Sequence, residues 1–250
     1  AGQLYWYFKA SQPDAGQVEY YLGSDSPALQ RLAAEHRAGR LDTAGEDEAI
    51  GNLCSMLRAG GANLIDATAA RVLRALAEAG IFRLGGVLVG TYAYLVLGNV
   101  LGVRWRRGTR TQDIDIAATP SLAVAVPPME HTAPAILASL ALGFLPVPGL
   151  DPRASSTSFK VRGREVRVDF LTPATGSRRT RPIEIPRLGV AAAPLALLDY
   201  LMEDTLATAA VNGGAIGVVV PDAARFALHK LVVADRRPVS QQTKAAKDRE

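Results

Sequence analysis

The sequence predicts an α+β fold with a helical N-terminal extension and a mixed C-terminal subdomain. Three observations carry this reading. Residues 1–80 show the caps and stops of amphipathic helices. Residues 81–175 alternate short apolar runs with helical segments and end in a hairpin. Residues 176–250 mix both types. The same three stretches are the expected domains.

In the first stretch, "SPALQRLAAEHRAG" places Ser26 before Pro27, a fitting N-cap and first helical residue, with Gly39 as the expected stop. "DATAARVLRALAEAG" repeats the pattern, with Asp66 as cap, Val72, Leu73, Leu76 and Ala77 as the apolar stripe, and Gly80 as terminator. "YLGSDSP" resembles a phosphate-binding Gly-Ser turn, but little that is strand-like precedes it, and it reads as a turn leading into a helix cap. In the centre, "GVLVG" reads as a buried strand, "TYAYLVLG" as a helix, "DIDIAAT" as a strand and "TAPAILASLALG" as a helix. "STSFKV" and "REVRVDFLT" then form a hairpin around Gly163. In the last stretch "APLALLDYLMEDTLATAA" reads as an amphipathic helix, "GGAIGVVVP" as a strand and "PDAARFALHKLVVADRR" as a final helix, with the tail continuing as an exposed helix.

With 250 residues, 48% of them hydrophobic and 21% charged, the chain can bury a sizeable core. The net charge of +4 is modest, but "RWRRGTR" (104–110) and "RRTR" (178–181) concentrate positive charge in a way that suits phosphate-bearing partners. The single cysteine, Cys54, excludes an intramolecular disulfide and fits a reducing compartment. No secretory signal is read at the N-terminus, and a cytoplasmic location is expected. Leu84–Val103 carries no charge over 20 residues, yet five glycines, Asn99, Thr91 and two tyrosines divide it into a strand and a helix, so no membrane span is expected.

The chemistry concentrates on aspartates. Asp113 and Asp115 alternate with Ile114 and Ile116, so they share one face of a strand, ~7 Å apart along the backbone. Two like charges placed this way share a proton, pair with Arg106, Arg107 or Arg110, or hold a divalent cation. Asp169 is a third carboxylate on an otherwise apolar strand, on the face of Arg167, with which an ion pair is the simplest alternative role. Lys230 lies beside an apolar stripe on the last helix, where it either reaches a nucleotide phosphate or snorkels to solvent. Trp105, set among arginines, either stacks on a base or anchors its loop.

"LVGT" (88–91), "QDIDIA" (112–117) and "VRVDFL" (166–171) occur in the order strand–glycine turn–helix, D-x-D strand, third acidic strand. This resembles the nucleotidyltransferase superfamily, of polymerase-beta-like fold. It looks most like bacterial stand-alone, toxin-like members with a lysine helix, here "RFALHKLVVADRR", and a later Lys-Asp pair, here in "KAAKDRE". The resemblance covers residues 81–250. The chain departs from the pattern in three respects: Thr91 stands in place of the commoner serine, 21 residues separate Thr91 from Asp113, and the chain stops two residues after Asp248.

The resemblance implies a mixed β-sheet flanked by helices. It also implies a catalytic and metal-binding set of Asp113, Asp115 and Asp169 holding two Mg²⁺ (or Mn²⁺) ions, and a nucleotide-binding set of Gly90, Thr91 and Lys230. The implied reaction transfers an NMP from an NTP to an acceptor hydroxyl. The basic clusters favour RNA, such as a tRNA 3′ end, over a protein or small-molecule acceptor. Each motif has its own physical rationale. Glycine permits close approach to a triphosphate, free N–H groups at a helix start attract anions, and clustered carboxylates suit hard cations. Two other readings stand beside this one: a non-catalytic nucleotide- or RNA-binding module of the same fold, and a D-x-D glycosyltransferase, which requires neither the upstream glycine turn nor the third aspartate.

Overall fold

The computed structural model describes residues 4–12, 16–105, 112–120, 131–149, 155–174 and 181–236. The basic runs 106–110 and 178–180, Pro238 and the tail with Asp248 lie outside the described residues. The chain divides into two compact units, residues 1–53 and 54–250.

The first unit opens with an antiparallel hairpin of β1 (Tyr5–Gln12) and β2 (Gly16–Ser24). "YYLGS" is therefore a strand and not a turn: aromatic residues, which favour extended chain, occupy both partners, and Tyr21 packs on Tyr5 and Tyr7. Helix α1 (Pro27–Ala59) follows, with the Ser26 hydroxyl accepting from Leu29 N. The helix passes straight through Gly39, because one glycine costs an α-helix only about 1 kcal/mol.

In the second unit α2 (Ala67–Glu78) begins where Asp66 Oδ1 accepts from the N–H groups of Thr68 and Ala69, at 3.0 and 2.9 Å, and ends just before Gly80 at φ +90°. Strand β3 (Val87–Val89) leads directly into α3 (Gly90–Val100), so the uncharged run 84–103 is divided between them. Among the described residues no helix is long and apolar enough to cross a membrane. The remaining central elements are β4 (Asp113–Ala117), α4 (Ala133–Ser139), β5 (Phe144–Pro146), β6 (Ser158–Val161) and β7 (Arg167–Pro173).

These strands form a mixed sheet in the order β3-β4-β7-β6-β5. Only β4 and β7 run parallel along that path; β3 pairs β4, β6 pairs β7 and β5 pairs β6 antiparallel. The hairpin around Gly163 forms as the sequence predicts. Ile114, Ile116, Val168 and Phe170 are fully buried on one face, which commits the alternate residues Asp113, Asp115, Arg167 and Asp169 to the other.

The C-terminal region departs from the reading of a single helix over 193–210. Strand β9 (Val190–Leu195) pairs parallel with β7 and antiparallel with β8 (Ile183–Ile185), and only the short α5 (Leu198–Met202) is helical. Strand β10 (Thr205–Val211) then pairs with β11 (Ala215–Pro221). The apparent helical stripe arises from the end of β9 and most of β10 flanking one helical turn, a pattern that periodicity alone misreads in short apolar runs. Helix α6 (Ala223–Arg236) forms as expected, capped by Asp222, whose Oδ1 accepts from Ala224 N and Arg225 N.

Trp105 resolves in favour of anchoring. Its ring stacks on Tyr94 at 4.2 Å between centroids, its indole N–H donates to Tyr94 O at 2.8 Å, and its backbone N–H donates to Asn63 Oδ1. This arrangement fits only because Gly98 has no side chain: a Cβ there would meet the indole nitrogen and lie 2.5 Å from Asn63 Nδ2. Gly98→Ala gains about 1 kcal/mol of helix propensity yet overpacks this contact. It is expected to lower stability by about 1–2 kcal/mol net and to shift Trp105 emission, measured by urea unfolding followed by fluorescence. Unchanged or increased stability would show that the Trp105 packing is loose.

Candidate active site

The site is built where β3, β4 and β7 lie side by side. Register pairs Val89 with Asp115, and Asp115 in turn with Asp169. The sheet therefore brings Gly90, Asp115 and Asp169 together across three adjacent strands, each about 4.8 Å from the next. Asp113 pairs with Arg167 one pleat further along the same face.

Gly90 is required in two ways. Its φ of +70° lies in the left-handed region that side chains avoid. A Cβ at this position would also collide with Asp115 Oδ2 and lie 3.0 Å from Asp115 Cγ. The turn into α3 is thus pressed against the Asp115 carboxylate. The helix start carries no side-chain cap, so its first-turn N–H groups and the half-buried Thr91 stand at the same corner.

Asp115 is electrostatically strained. Burial first, then the negative charges of Asp169 and Asp113, push its carboxyl up to about 7, against the opposing pull of Lys230 and Arg167. Asp113, Asp169, Lys230 and Arg167 thus all stand within electrostatic reach of the Asp115 carboxyl. Lys230 reaches this place through an aromatic row. Phe226, one turn earlier on α6, lies 6.5 Å from Tyr94, itself one turn after Gly90 on α3, and Lys230 Nζ sits 5.6 Å from the Phe226 ring.

Asp169 is held from its other side. Its Oδ1 accepts from Arg167 Nε at 2.8 Å and from the hydroxyl of Ser158, which is 3% exposed and stands opposite it on β6. Arg167 Nε also lies 2.6 Å from Ser158 Oγ. The ion pair weighed for Asp169 therefore exists alongside its adjacency to Asp115. Ser158 was missed by the motif reading, although the hairpin register around Gly163 places it opposite Asp169. A second missed group is Tyr92, whose hydroxyl donates to Asp66 Oδ2; burial, then this bond, raises its pKa. No local spacing links Asp66 with Tyr92, so nothing in the sequence pointed to that pair.

Among the described residues no three His, Cys, Asp or Glu side chains close into a ready-made metal cluster. The donor set nevertheless fits a hard divalent cation. Three carboxylates interact on one sheet face, and their mutual repulsion is what an added positive charge would relieve.

No curated protein and no solved structure matches the chain. A family model described as Nucleotidyltransferase matches residues 67–250, which spans every residue of this site, and the chain belongs to that nucleotidyltransferase family.

Proposed function

We propose that this chain transfers a nucleoside monophosphate from an NTP to an acceptor hydroxyl, with Asp113, Asp115 and Asp169 as its catalytic carboxylates. The observation that carries the proposal is the register Val89–Asp115–Asp169, with Gly90 pressed against Asp115. It sets the uncapped start of α3 beside a cluster of carboxylates, which supports a reading of in-line phosphoryl transfer.

In this reading the N–H groups at the start of α3 and the Thr91 hydroxyl bind the triphosphate, and Gly90 allows it to approach the backbone. Lys230 adds positive charge toward the same phosphates. Asp113, Asp115 and Asp169 hold Mg²⁺ or Mn²⁺, two ions in the full arrangement. Bound there, the metal supplies charge neutralisation of the reacting phosphates and of the leaving pyrophosphate. Asp169, fixed by Arg167 and Ser158, takes the proton of the attacking hydroxyl. RNA is the favoured acceptor, with a protein or small-molecule hydroxyl as alternatives. A second reading, a nucleotide-binding module without catalysis, is favoured by one observation: the Arg167–Asp169 ion pair already neutralises one of the three carboxylates.

Incubating the protein with each labelled NTP, Mg²⁺ and a cell extract, then locating the label, tests the reaction class. Asp113→Ala and Asp169→Asn are each expected to reduce transfer by at least about 10²-fold, with NTP binding largely spared in Asp169→Asn. Normal turnover in either variant would remove that residue from the catalytic set.

Asp115 makes a separate prediction about stability in EDTA. Its folded pKa of about 7 lies above the unfolded 3.8, so between these values the native state binds more protons than the unfolded state. Stability is therefore greatest below about pH 4 with respect to this group and falls as pH rises to about 7. Asp115→Asn should flatten this dependence and raise the melting temperature at pH 8 while abolishing transfer. A lower melting temperature at pH 8 would mean that Asp115 is a structural residue.

A further inference from the structure

Arg167 is engaged on one edge of its guanidinium only. Nε serves Asp169 and Ser158, whereas among the described residues Nη1 and Nη2 make no hydrogen bond. The side chain is 42% exposed, on the sheet face that bears the three aspartates. A guanidinium has five N–H donors in a planar fork that matches the geometry of a phosphate, so the two Nη groups form a fixed, unused anion site.

The position separates this site from the NTP cradle. Gly90 and Thr91 follow β3, Arg167 sits on β7, and β4 with its two aspartates lies between them, about 10 Å in all. Arg167 Nε touches Asp169 Oδ1 at 2.8 Å, so a phosphate held on the far, Nη edge of the same planar guanidinium would lie just beyond that carboxylate, as the 5′ phosphate of a terminal nucleotide lies one sugar away from its hydroxyl. We propose that Arg167 binds the phosphodiester next to the attacking hydroxyl, and that the acceptor is accordingly the 3′ end of a polynucleotide. This rests on the nucleotidyl-transfer reading, which puts the acceptor hydroxyl at Asp169. It assigns Arg167 two tasks: positioning Asp169 through Nε and gripping the acceptor through Nη1 and Nη2.

The test uses the whole chain and two readouts. In EDTA, fluorescence anisotropy follows binding of a labelled oligoribonucleotide with a free 3′ hydroxyl. With Mg²⁺ and labelled NTP, kinetics compare that oligonucleotide with a nucleoside that lacks the phosphodiester. Arg167→Gln should weaken oligonucleotide binding by at least tenfold and raise its KM by a similar factor, leaving NTP affinity within about twofold. Arg167→Lys should recover part of the binding, since a point charge attracts phosphate without the bidentate fork. Arg164→Gln, an exposed hairpin-turn control, should bind as the unaltered chain does. Unchanged oligonucleotide binding in Arg167→Gln, with equal loss of turnover on both acceptors, would overturn the proposal and leave Arg167 as a positioning residue alone. Transfer by the unaltered chain to a protein or small molecule but not to the oligonucleotide would overturn it too. Absence of NTP binding and of any transfer would instead bring down the nucleotidyl-transfer reading beneath it.

Discussion

The parallel pairing of β4 with β7 is the constraint on which the rest of this chain depends. It sets Asp115 directly beside Asp169, an arrangement that raises the electrostatic energy of the ion-free fold. A sheet does not place two carboxylates on neighbouring strands at no cost, and like charges directly opposite are destabilising. What holds them there is the opposite face: Ile114, Ile116, Val168 and Phe170 are each fully buried. Sliding either strand by one residue would relieve the charges only by turning that strand's two apolar side chains, Ile114 and Ile116 or Val168 and Phe170, toward solvent. Burying each is worth about 1.5–3 kcal/mol, so the core outweighs the repulsion and enforces the register.

The surroundings of the aspartates divide the same conflict among different partners. Asp169 is compensated inside the fold, by Arg167 and the buried Ser158 hydroxyl. Asp115 is not compensated to the same degree, for Gly90 rather than a cation presses against it and its carboxyl keeps a proton to near neutrality. Three carboxylates gathered beside a helix start are poorly explained as a device for stability. Theirs is the arrangement that the proposed cation and phosphate would relieve, at a cost in stability when they are absent.

Much of this was legible in the chain because the signals were local. Alternation put Asp113 and Asp115 on one face, a glycine between a β run and a helix marked the turn, and the hairpin around Gly163 delivered Asp169 to the sheet. Lys230 could not be decided from its helix alone, because its place depends on Phe226 meeting Tyr94 from 132 positions earlier in the chain. Trp105 was undecided for the same reason, its partners being Tyr94, Asn63 and the bare backbone of Gly98. The region 190–211 was misread where β9, α5 and β10 are each shorter than two helical turns or nearly so, and apolar on more than one side. There the sheet partners β7 and β8, not the local pattern, choose the conformation.

The aromatic row also explains why the final helix belongs to the site. Trp105, Tyr94 and Phe226 have nearly parallel rings, 16° and 25° between neighbours, and they tie the segment before β4, helix α3 and α6 into one stack. Aromatic packing of this kind is short-ranged and sensitive to shape, so it fixes position more firmly than a charge pair at the surface does. Lys230 thereby acts toward Asp115 from a helix outside the sheet, and Arg167 acts toward Asp169 from within it. The two cations approach the carboxylate row from different elements. That disposition separates a cation carried on a packed helix from one tied within the sheet to the third carboxylate.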